Sequence, residues 1–265
     1  ARAFQPGRSM PTATLTIAGT GLRPHGQLTP EARHAIENAD CVFYAVADQL
    51  SEDLIRGINP KAKSFGFYIA DKPRVETYKA WVDNIMAALL AGEDVCAIFY
   101  GHPALLTYSS HVAAEAARAE GMSVRWLPGI SCLDCMFSDL GVEPAWVGLQ
   151  CFEATEFLIH RRKWDCANSL ILFQIACIGQ RVYIHDVARR GLKVLTEVLE
   201  EAYGPDQEVV VYEAAIHWLL QPVIDRMPLR DLADARISHV STLYIPPARD
   251  IEFDPEMAAR IGWSA

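Results

Sequence analysis

Hydrophobic residues in the first half of the chain form short apolar runs that alternate with segments of helical periodicity. Apolar runs bounded by glycine or polar turns are typical of buried strands. Strands are predicted at residues 14–18, 41–46, 95–100 and 123–127. Helices are predicted to begin at Thr29 and Pro30, to span 47–56, 74–91 and 109–120, and to run from Ser131 to Leu140. This alternation predicts a largely parallel sheet.

The pattern changes after Gly148. Strands are predicted at 149–152, 170–175, 209–212, 222–227 and 242–245, around one long helix at 192–202. A second α/β half with a more mixed sheet is therefore expected. Residues 59–73 hold three aromatics without a clean period, which predicts a loop. The predicted organisation is an N-terminal α/β domain at 12–147, a C-terminal α/β domain at 148–247 and a tail at 248–265, and residues 1–9 are excluded from the fold assignment.

Composition and charge exclude several classes of protein. Of the 265 residues, 51% are hydrophobic and 22% are charged, which fits a globular enzyme and argues against a disordered or fibrous chain. The net charge of −9 makes nucleic acid and anionic membranes unexpected partners. No apolar run reaches the length of a membrane span. Seven cysteines without framework spacing predict reduced thiols and a cytoplasmic protein.

Three turns follow predicted strands at their carboxyl ends. They are Gly19-Thr20-Gly21, Tyr100-Gly101-His102-Pro103 and Pro128-Gly129-Ile130-Ser131. Ligands of open α/β sheets bind at this edge, so the three turns predict one cleft for a nucleotide-like ligand. The first turn lacks the third glycine of a dinucleotide fingerprint, and an ordinary strand-to-loop turn is the alternative.

Arg74 and Tyr78 lie four residues apart at the start of a predicted helix, on one face. If Tyr68 and Tyr100 converge there, the arginine could stabilise a phenolate and hold a carbonyl oxygen. A phenol has a reference pKa of about 10, and an adjacent guanidinium lowers it. The alternative is a solvated arginine that stacks on a surface tyrosine.

The remaining motifs do not indicate a metal. Cys132-x-x-Cys135 is a single pair inside a predicted helix, which favours small buried thiols over a metal or redox role. The sequence has no His-Glu-x-x-His, no Gly-x-Ser-x-Gly and no Walker loop. The sequence therefore lacks the signature motifs of metalloproteases, serine hydrolases and P-loop proteins, and no metal site is predicted.

Several motifs together resemble the tetrapyrrole methylase superfamily. They are Gly-Thr-Gly at 19–21, Leu-Thr-Pro-Glu-Ala at 28–32, Ala-Asp-x-Val-x-Tyr at 39–44, Tyr-Gly-His-Pro at 100–103 and Pro-Gly-Ile-Ser at 128–131. The resemblance implies S-adenosylmethionine bound in a cleft between two α/β domains. Two features depart from the pattern: the glycine motif is truncated, and His102 stands where porphyrin and corrin methylases usually carry aspartate.

Both departures match one branch, the borosin peptide-backbone α-N-methyltransferases, which the chain resembles from about residue 14 to 247. The branch-like segments are the loop and helix around 68–78, the turn 100–103, and residues 151–154, 174–176, 208–214 and 241–247. The resemblance implies that Tyr68, Arg74 and Tyr78 activate the amide. It also implies a pocket for S-adenosylmethionine, and for its product S-adenosylhomocysteine, lined by Tyr100, His102, Leu105, Ser131, Cys132, Gln174, Ala214, Ser241 and Thr242. No metal is implied.

Fungal members of this branch carry their substrate peptide fused at the C-terminus. This sequence ends at Ala265 without a repetitive apolar core peptide, so a precursor peptide supplied in trans is expected. A homodimer is also expected, because in the family the helix with the arginine and tyrosine pair faces a partner subunit. The aromatic loop 65–68 should also be hard to bury within one protomer. Two alternatives remain: a superfamily methyltransferase for a small molecule such as a tetrapyrrole, and a binding protein without turnover.

Overall fold

The computed structural model describes residues 13–66, 73–182, 184 and 186–263. Its contacts divide the chain into two compact units. The first unit holds the described residues up to Asp139 together with 181–182 and 214–222. The second unit holds 140–180, the described part of 184–213, and 223–263. The predicted domain limits at 147 and 247 stay a prediction.

The first unit is built on a parallel five-stranded sheet. Its strands are β1 (Thr14–Gly19), β2 (Cys41–Ala45), β3 (Lys63–Ser64), β4 (Val95–Phe99) and β5 (Ser123–Leu127). Their order is β3-β2-β4-β1-β5, and every pairing is parallel, as the alternating pattern predicts. The prediction of a loop over 59–73 is wrong at β3. Both residues of β3 are exposed, so no apolar run marks the strand.

Helices follow the strands of this sheet. They are α1 (Pro24–Gln27), α2 (Pro30–Asn38), α3 (Gln49–Ile58), α4 (Arg74–Leu90), α5 (Tyr108–Ala119) and α6 (Cys132–Leu140). The predicted start of α2 is confirmed: the Thr29 hydroxyl accepts a hydrogen bond from the Ala32 amide at 3.1 Å, and Pro30 takes the first helical position. Capping chemistry thus fixes where the helix begins.

Both faces of this sheet are buried. Leu15, Ile17 and Ala97 pack on one face with residues of α4, among them Trp81 and Leu89. On the other face, a second cluster combines strand residues with residues of α2 and α3; its members include Val42, Tyr44, Ile98, Ile36 and Ile55. Burial on both sides of the sheet explains why the central strands β2 and β4 are continuous apolar runs.

The second unit contains a mixed sheet, as predicted. Its strands are β6 (Leu149–Glu153), β7 (Ser169–Phe173), β8 (Glu208–Glu213), β9 (Val223–Pro228) and β10 (Thr242–Ile245). Their order is β6-β7-β10-β8-β9; β6 and β7 are parallel and the other pairings are antiparallel. The helices are α7 (Pro144–Val147), α8 (Ala154–Ile159), α9 (Arg189–Tyr203) and α10 (Pro255–Arg260), with 3₁₀ turns at Ile175–Cys177 and Leu229–Asp234.

One predicted boundary in this unit is wrong, and the predicted tail at 248–265 contains a helix. That helix is α10, and its cap is Asp254, whose carboxylate accepts from the Met257 amide at 2.9 Å. The strand predicted at 170–175 ends earlier, because Gln174 adopts a left-handed conformation with φ of 57°. A strand cannot continue through that geometry.

Among the described residues, no helix combines the length and the apolar character that a membrane crossing requires. All seven cysteines are free thiols. Burial raises the pKa of the Cys96 thiol, in the middle of β4, from 9.0 to about 12. The Cys96 thiol therefore stays protonated in the folded protein at a pH where an unfolded thiol ionises.

We predict an alkaline loss of stability that depends on Cys96. The stabilisation is fully present below the unfolded pKa and is lost as the pH rises through the window from 9.0 to about 12. Wild type should therefore lose about 2 kcal/mol more unfolding free energy than Cys96→Ala between about pH 7.5 and about pH 10.5. Urea unfolding at the two pH values measures the difference. Ile98→Val, on the same strand, is the control and should lower the unfolding free energy by the same amount at both pH values. An equal change of unfolding free energy with pH in wild type and in Cys96→Ala would contradict the prediction.

Candidate functional site

The three glycine turns of the first unit meet at the carboxyl ends of β1, β4 and β5. A β-carbon on Gly19 would overlap the Gly101 carbonyl oxygen and would lie 2.9 Å from the Gly129 Cα. A β-carbon on Gly129 would overlap the same carbonyl oxygen. Backbone therefore packs directly on backbone here, which only glycine permits. The predicted convergence of the three turns is observed within this unit, and we call the place the glycine junction.

Hydrogen bonds hold the glycine junction together. The Gly101 amide donates to the Gly21 carbonyl at 2.9 Å, and the Thr20 amide donates to the Phe99 carbonyl at 2.9 Å. The Thr20 side chain is fully buried, and its hydroxyl donates to the Gly21 carbonyl at 2.8 Å. The ends of β1 and β4 are thus fixed relative to each other before any ligand arrives.

The turn after β4 is supported by α5. His102 Nδ1 accepts from the Ala104 amide at 3.1 Å, which leaves Nε2 as the protonated nitrogen of the neutral ring. The buried Ser110 hydroxyl lies 2.7 Å from the Pro103 carbonyl oxygen and from the Thr107 carbonyl oxygen. Leu106 in this turn has a φ of 55°, a strained conformation of the kind that clusters at ligand sites.

The turn after β5 caps α6. The Ser131 hydroxyl donates to Asp134 Oδ2 at 2.7 Å and accepts from the Leu133 amide at 3.2 Å. Ser131, a predicted cofactor contact, therefore uses its hydroxyl for the helix cap. Cys132 begins α6 and is half-buried, whereas Cys135 is buried and accepts from Gln27 Nε2 at 3.7 Å. In the part of the chain that is described, no cluster of His, Cys, Asp and Glu could hold a metal ion.

Arg74 and Tyr78 lie in the first turns of α4. This helix returns from the carboxyl end of β3 to the start of β4, so its first turns are at the same sheet edge as the glycine junction. The Arg74 amide donates to the Arg181 carbonyl at 3.2 Å within the first unit. Both side chains are half-buried. The predicted pairing on one helix face is therefore compatible with a site at this edge.

A row of aromatic rings links Tyr78 to the end of β4. Phe65 stacks on Phe99 at 6.0 Å and on Trp81 at 5.2 Å between ring centroids. Trp81 contacts the Tyr78 ring edge-on at 5.6 Å, and the Tyr108 ring lies 6.0 Å from Tyr78. We call these five residues the aromatic row. Tyr78 is consequently positioned by core packing as well as by its helix.

Part of the aromatic loop 65–68 packs within the first unit. Phe65 is half-buried and stacks on Phe43, Phe99 and Trp81. The homodimer stays a prediction, because residues 67 and 68 of this loop lie outside the described residues. Tyr68, the third predicted catalytic residue, lies outside the described residues.

In the second unit, predicted cofactor contacts lie at strand ends. Gln174 follows β7, and its left-handed backbone is unusual for a residue with a side chain. Thr242 begins β10 and is 4% exposed, and its hydroxyl has no hydrogen-bond partner among the described residues. Ser241 instead donates to Glu213 Oε1 at 2.5 Å. Ala214 directly follows β8 and is grouped with the first unit.

These features fit a cofactor such as S-adenosylmethionine. The glycine junction brings three strand-ending turns together at the sheet edge where ligands of open α/β sheets bind. Arg23, in the loop after Gly21, has a buried Nε without a hydrogen-bond partner among the described residues, and a buried donor of this kind favours an acceptor from a ligand. Arg23 and Glu213 were not predicted as site residues: Arg23 belongs to none of the motifs, and Glu213 lies in the segment 208–214 without an assigned role.

Comparison with known proteins gives a consistent result. The family model of Tetrapyrrole (Corrin/Porphyrin) Methylases matches residues 14–216. The chain is 37% identical over 244 residues to the methyltransferase/ribosomally synthesized cyclic peptide omphalotin A precursor of Omphalotus olearius, which covers 88% of this chain and 58% of that protein. It is 36% identical over 258 residues to the methyltransferase/ribosomally synthesized type III borosin cyclic peptide precursor of Anomoporia bombycina, which covers 94% of this chain and 30% of that protein.

A solved structure shows the same fold. The uroporphyrin-III-C-methyltransferase of Thermus thermophilus superposes with a TM-score of 0.62 at 16% identity, over 89% of this chain and 93% of that one. The predicted α/β fold of two sheet-containing halves is thereby confirmed. By contrast, the chain spans only 30% and 58% of the two precursor proteins it matches.

We predict that the glycine junction tolerates no β-carbon. Gly129→Ala should lower the unfolding free energy by about 1–3 kcal/mol, because the new methyl group meets rigid backbone on two sides. Gly57→Ala, in α3, is the matched control: nothing lies within 4 Å of its β-carbon, and it should stabilise the protein by about 0.5–1 kcal/mol. Thermal and urea unfolding measure both. Equal stability of the two variants would contradict the close approach of the three turns.

Proposed function

Because the chain belongs to the tetrapyrrole (corrin/porphyrin) methylase family, we propose that it is an S-adenosylmethionine-dependent methyltransferase that methylates backbone amide nitrogens of a ribosomal peptide. Its relatives are named as methyltransferases joined to cyclic peptide precursors, which supports a peptide acceptor. The sequence predicts a precursor supplied as a separate chain and a homodimeric enzyme. Both stay predictions, as does the cytoplasmic location.

The cofactor contacts implied by the resemblance lie in both units, and each set is described within its own part of the chain. In the first unit these are Tyr100, His102, Leu105, Ser131 and Cys132, around the glycine junction. Gln174, Ala214, Ser241 and Thr242 follow or begin strands of the second sheet. S-adenosylmethionine, when bound, supplies a methyl group activated by its sulfonium. Both serines of this set already donate their hydroxyl protons within the protein, Ser131 to Asp134 and Ser241 to Glu213. Their contacts with the cofactor would therefore come from the backbone.

The peptide amide is the difficult reactant. Its nitrogen lone pair is delocalised into the carbonyl group, so the nitrogen is a poor nucleophile while the N–H proton is in place. A base that takes this proton and a cation that holds the carbonyl oxygen would together make the nitrogen reactive. Arg74 would hold the oxygen, and Tyr78 would take the proton, with Tyr68 as the alternative base.

The observation that carries the proposal is the position of the arginine and tyrosine pair. Arg74 and Tyr78 lie on α4 at the edge of the sheet where the glycine junction forms, and the aromatic row fixes the Tyr78 ring. A general base and an oxyanion donor must be held rigidly to be effective, and packing within the core supplies that rigidity.

Transfer to a synthetic peptide tests the proposal. Purified protein is incubated with S-adenosylmethionine and an apolar peptide, and tandem mass spectrometry locates any added methyl group. Methyl groups on backbone nitrogens support the proposal. Methylation of a uroporphyrin-type precursor instead of the peptide would favour a small-molecule enzyme, which the family description makes the second candidate. Binding of S-adenosylmethionine without transfer to either acceptor would favour a binding protein.

We predict that Tyr78→Phe and Arg74→Lys each lose activity while they still bind S-adenosylmethionine. Tyr78→Phe removes only the hydroxyl and should cost about 10²- to 10⁴-fold in kcat. Arg74→Lys keeps the charge but loses the planar fork, and should cost about 10²- to 10³-fold. Single-turnover methylation and titration calorimetry separate chemistry from binding.

The matched control is Tyr203→Phe. Tyr203 ends α9, which leads into the start of β8, at the sheet edge away from the strand ends of the site. Its buried hydroxyl has no hydrogen-bond partner among the described residues, so its loss should leave turnover unchanged. Near-wild-type turnover by Tyr78→Phe would remove that hydroxyl from the mechanism and leave Tyr68 as the candidate base.

A further inference from the structure

A single carboxylate organises the turn that leads into Thr242. Glu213 is the last residue of β8, and β8 pairs with β10 so that Tyr212 lies opposite Thr242. Glu213 Oε1 accepts hydrogen bonds from the Ser238 hydroxyl at 2.6 Å and from the Ser241 hydroxyl at 2.5 Å. Hydrogen bonds from hydroxyls to a carboxylate are short and strong, and both distances are in that range.

Both serine hydroxyl oxygens also accept hydrogen bonds from backbone amides within the turn. The Ser241 amide donates to the Ser238 carbonyl at 3.1 Å, which closes a four-residue turn. The Ser241 hydroxyl also accepts from the Ser238 amide at 2.8 Å, and the Ser238 hydroxyl accepts from the Val240 amide at 3.3 Å. Each hydroxyl has one proton, and both protons are directed to Glu213. Without the carboxylate, the buried Ser241 hydroxyl and the half-buried Ser238 hydroxyl would lose their acceptor.

The turn 238–241 directly precedes Thr242, the first residue of β10, and so determines where that residue lies. Leu243 and Ile245 of β10 belong to the hydrophobic core of the second unit, so Thr242 projects from the opposite face of the sheet. Thr242 is nearly buried, and its hydroxyl has no partner among the described residues. This hydroxyl is not one of the fully buried side-chain atoms without a partner, so it is accessible on that face of the sheet, where a ligand can complete its hydrogen bond.

We propose that Glu213 is a positioning residue that fixes the turn 238–241 and thereby presents the Thr242 hydroxyl to the cofactor. This inference rests on the proposed function, because it takes the ligand of Thr242 to be S-adenosylmethionine. Glu213 acts through the turn and does not touch the reacting atoms. It should therefore set the affinity for the cofactor and not the rate of the chemical step.

The test compares two carboxylates on one strand. Glu213→Gln keeps the shape of the side chain and an oxygen that can accept from both serines, but it removes the negative charge that makes these two hydrogen bonds short and strong. Glu208→Gln, five residues earlier on β8, removes an exposed carboxylate that pairs with Arg226 at 2.8 Å and lies about 17 Å away along the strand. Binding of S-adenosylmethionine and of S-adenosylhomocysteine is measured by calorimetry, together with kcat at saturating cofactor and the thermal midpoint.

Glu213→Gln should raise the Kd of both ligands about tenfold or more, the size expected when a group that orients a ligand contact is lost. Its kcat at saturating cofactor should stay close to wild type, and Glu208→Gln should bind as wild type does. Wild-type affinity in Glu213→Gln, or a fall in kcat without a change in Kd, would overturn the inference, even where the thermal midpoint falls.

Two further variants keep the inference testable if Glu213→Gln does not fold. Ser238→Ala and Ser241→Ala each remove one of the two hydrogen bonds to the carboxylate and should each weaken binding by a smaller factor. Wild-type affinity in both would overturn the inference. Failure of the wild-type protein to bind either ligand would instead contradict the proposed function, so the two failures are distinguishable.

Discussion

The site of the first unit depends on a steric constraint: three strand-ending turns meet with no room for a side chain. Gly19 and Gly129 both face the carbonyl oxygen of Gly101, and a β-carbon on either would overlap it. Because the backbone is fixed this closely, β1, β4 and β5 end in one place. The following residues, from Tyr100 to Pro103 and from Ile130 to Cys132, inherit their positions from that contact. Glycine at these positions therefore fixes where the three strands end, at the sheet edge where ligands of open α/β sheets bind.

Polar side chains around the strand ends divide into two groups with different tasks. The hydroxyls of Ser131 and Ser241 donate hydrogen bonds to Asp134 and Glu213 and thereby stabilise the turns in which the serines lie. Thr242 is almost buried, yet its hydroxyl is not used by the described part of the protein. The family resemblance implies that Ser131, Ser241 and Thr242 all contact the cofactor. Their hydrogen bonds distinguish the two serines, which hold turns, from Thr242, whose hydroxyl is available to a ligand.

Much of this fold could be predicted from the sequence, because the strongest physical signals in it are local. Parallel strands buried on both faces are continuous apolar runs, and Thr29 with Pro30 marks a helix start by capping chemistry. The exposed two-residue β3 carries no such signal, since only its pairing with β2 defines it. Likewise, nothing in the sequence around Gln174 reveals its left-handed backbone. The burial of Phe65 depends on rings that are distant in sequence, and so it could not be read from the loop alone.

The aromatic row connects the predictable core with Tyr78, a candidate residue that helix spacing and family resemblance both indicate. Phe99 ends a core strand, and the contacts through Phe65 and Trp81 lead to Tyr78. Packing restricts the motion of such a tyrosine ring more than that of a surface tyrosine. The conformational entropy cost of orienting its hydroxyl is therefore part of the folding free energy. For the same reason, a change to Trp81 or Phe65 would disturb stability and ring placement together. Only a substitution that keeps the Tyr78 ring and removes its oxygen can separate the chemistry of the hydroxyl from the packing that holds it.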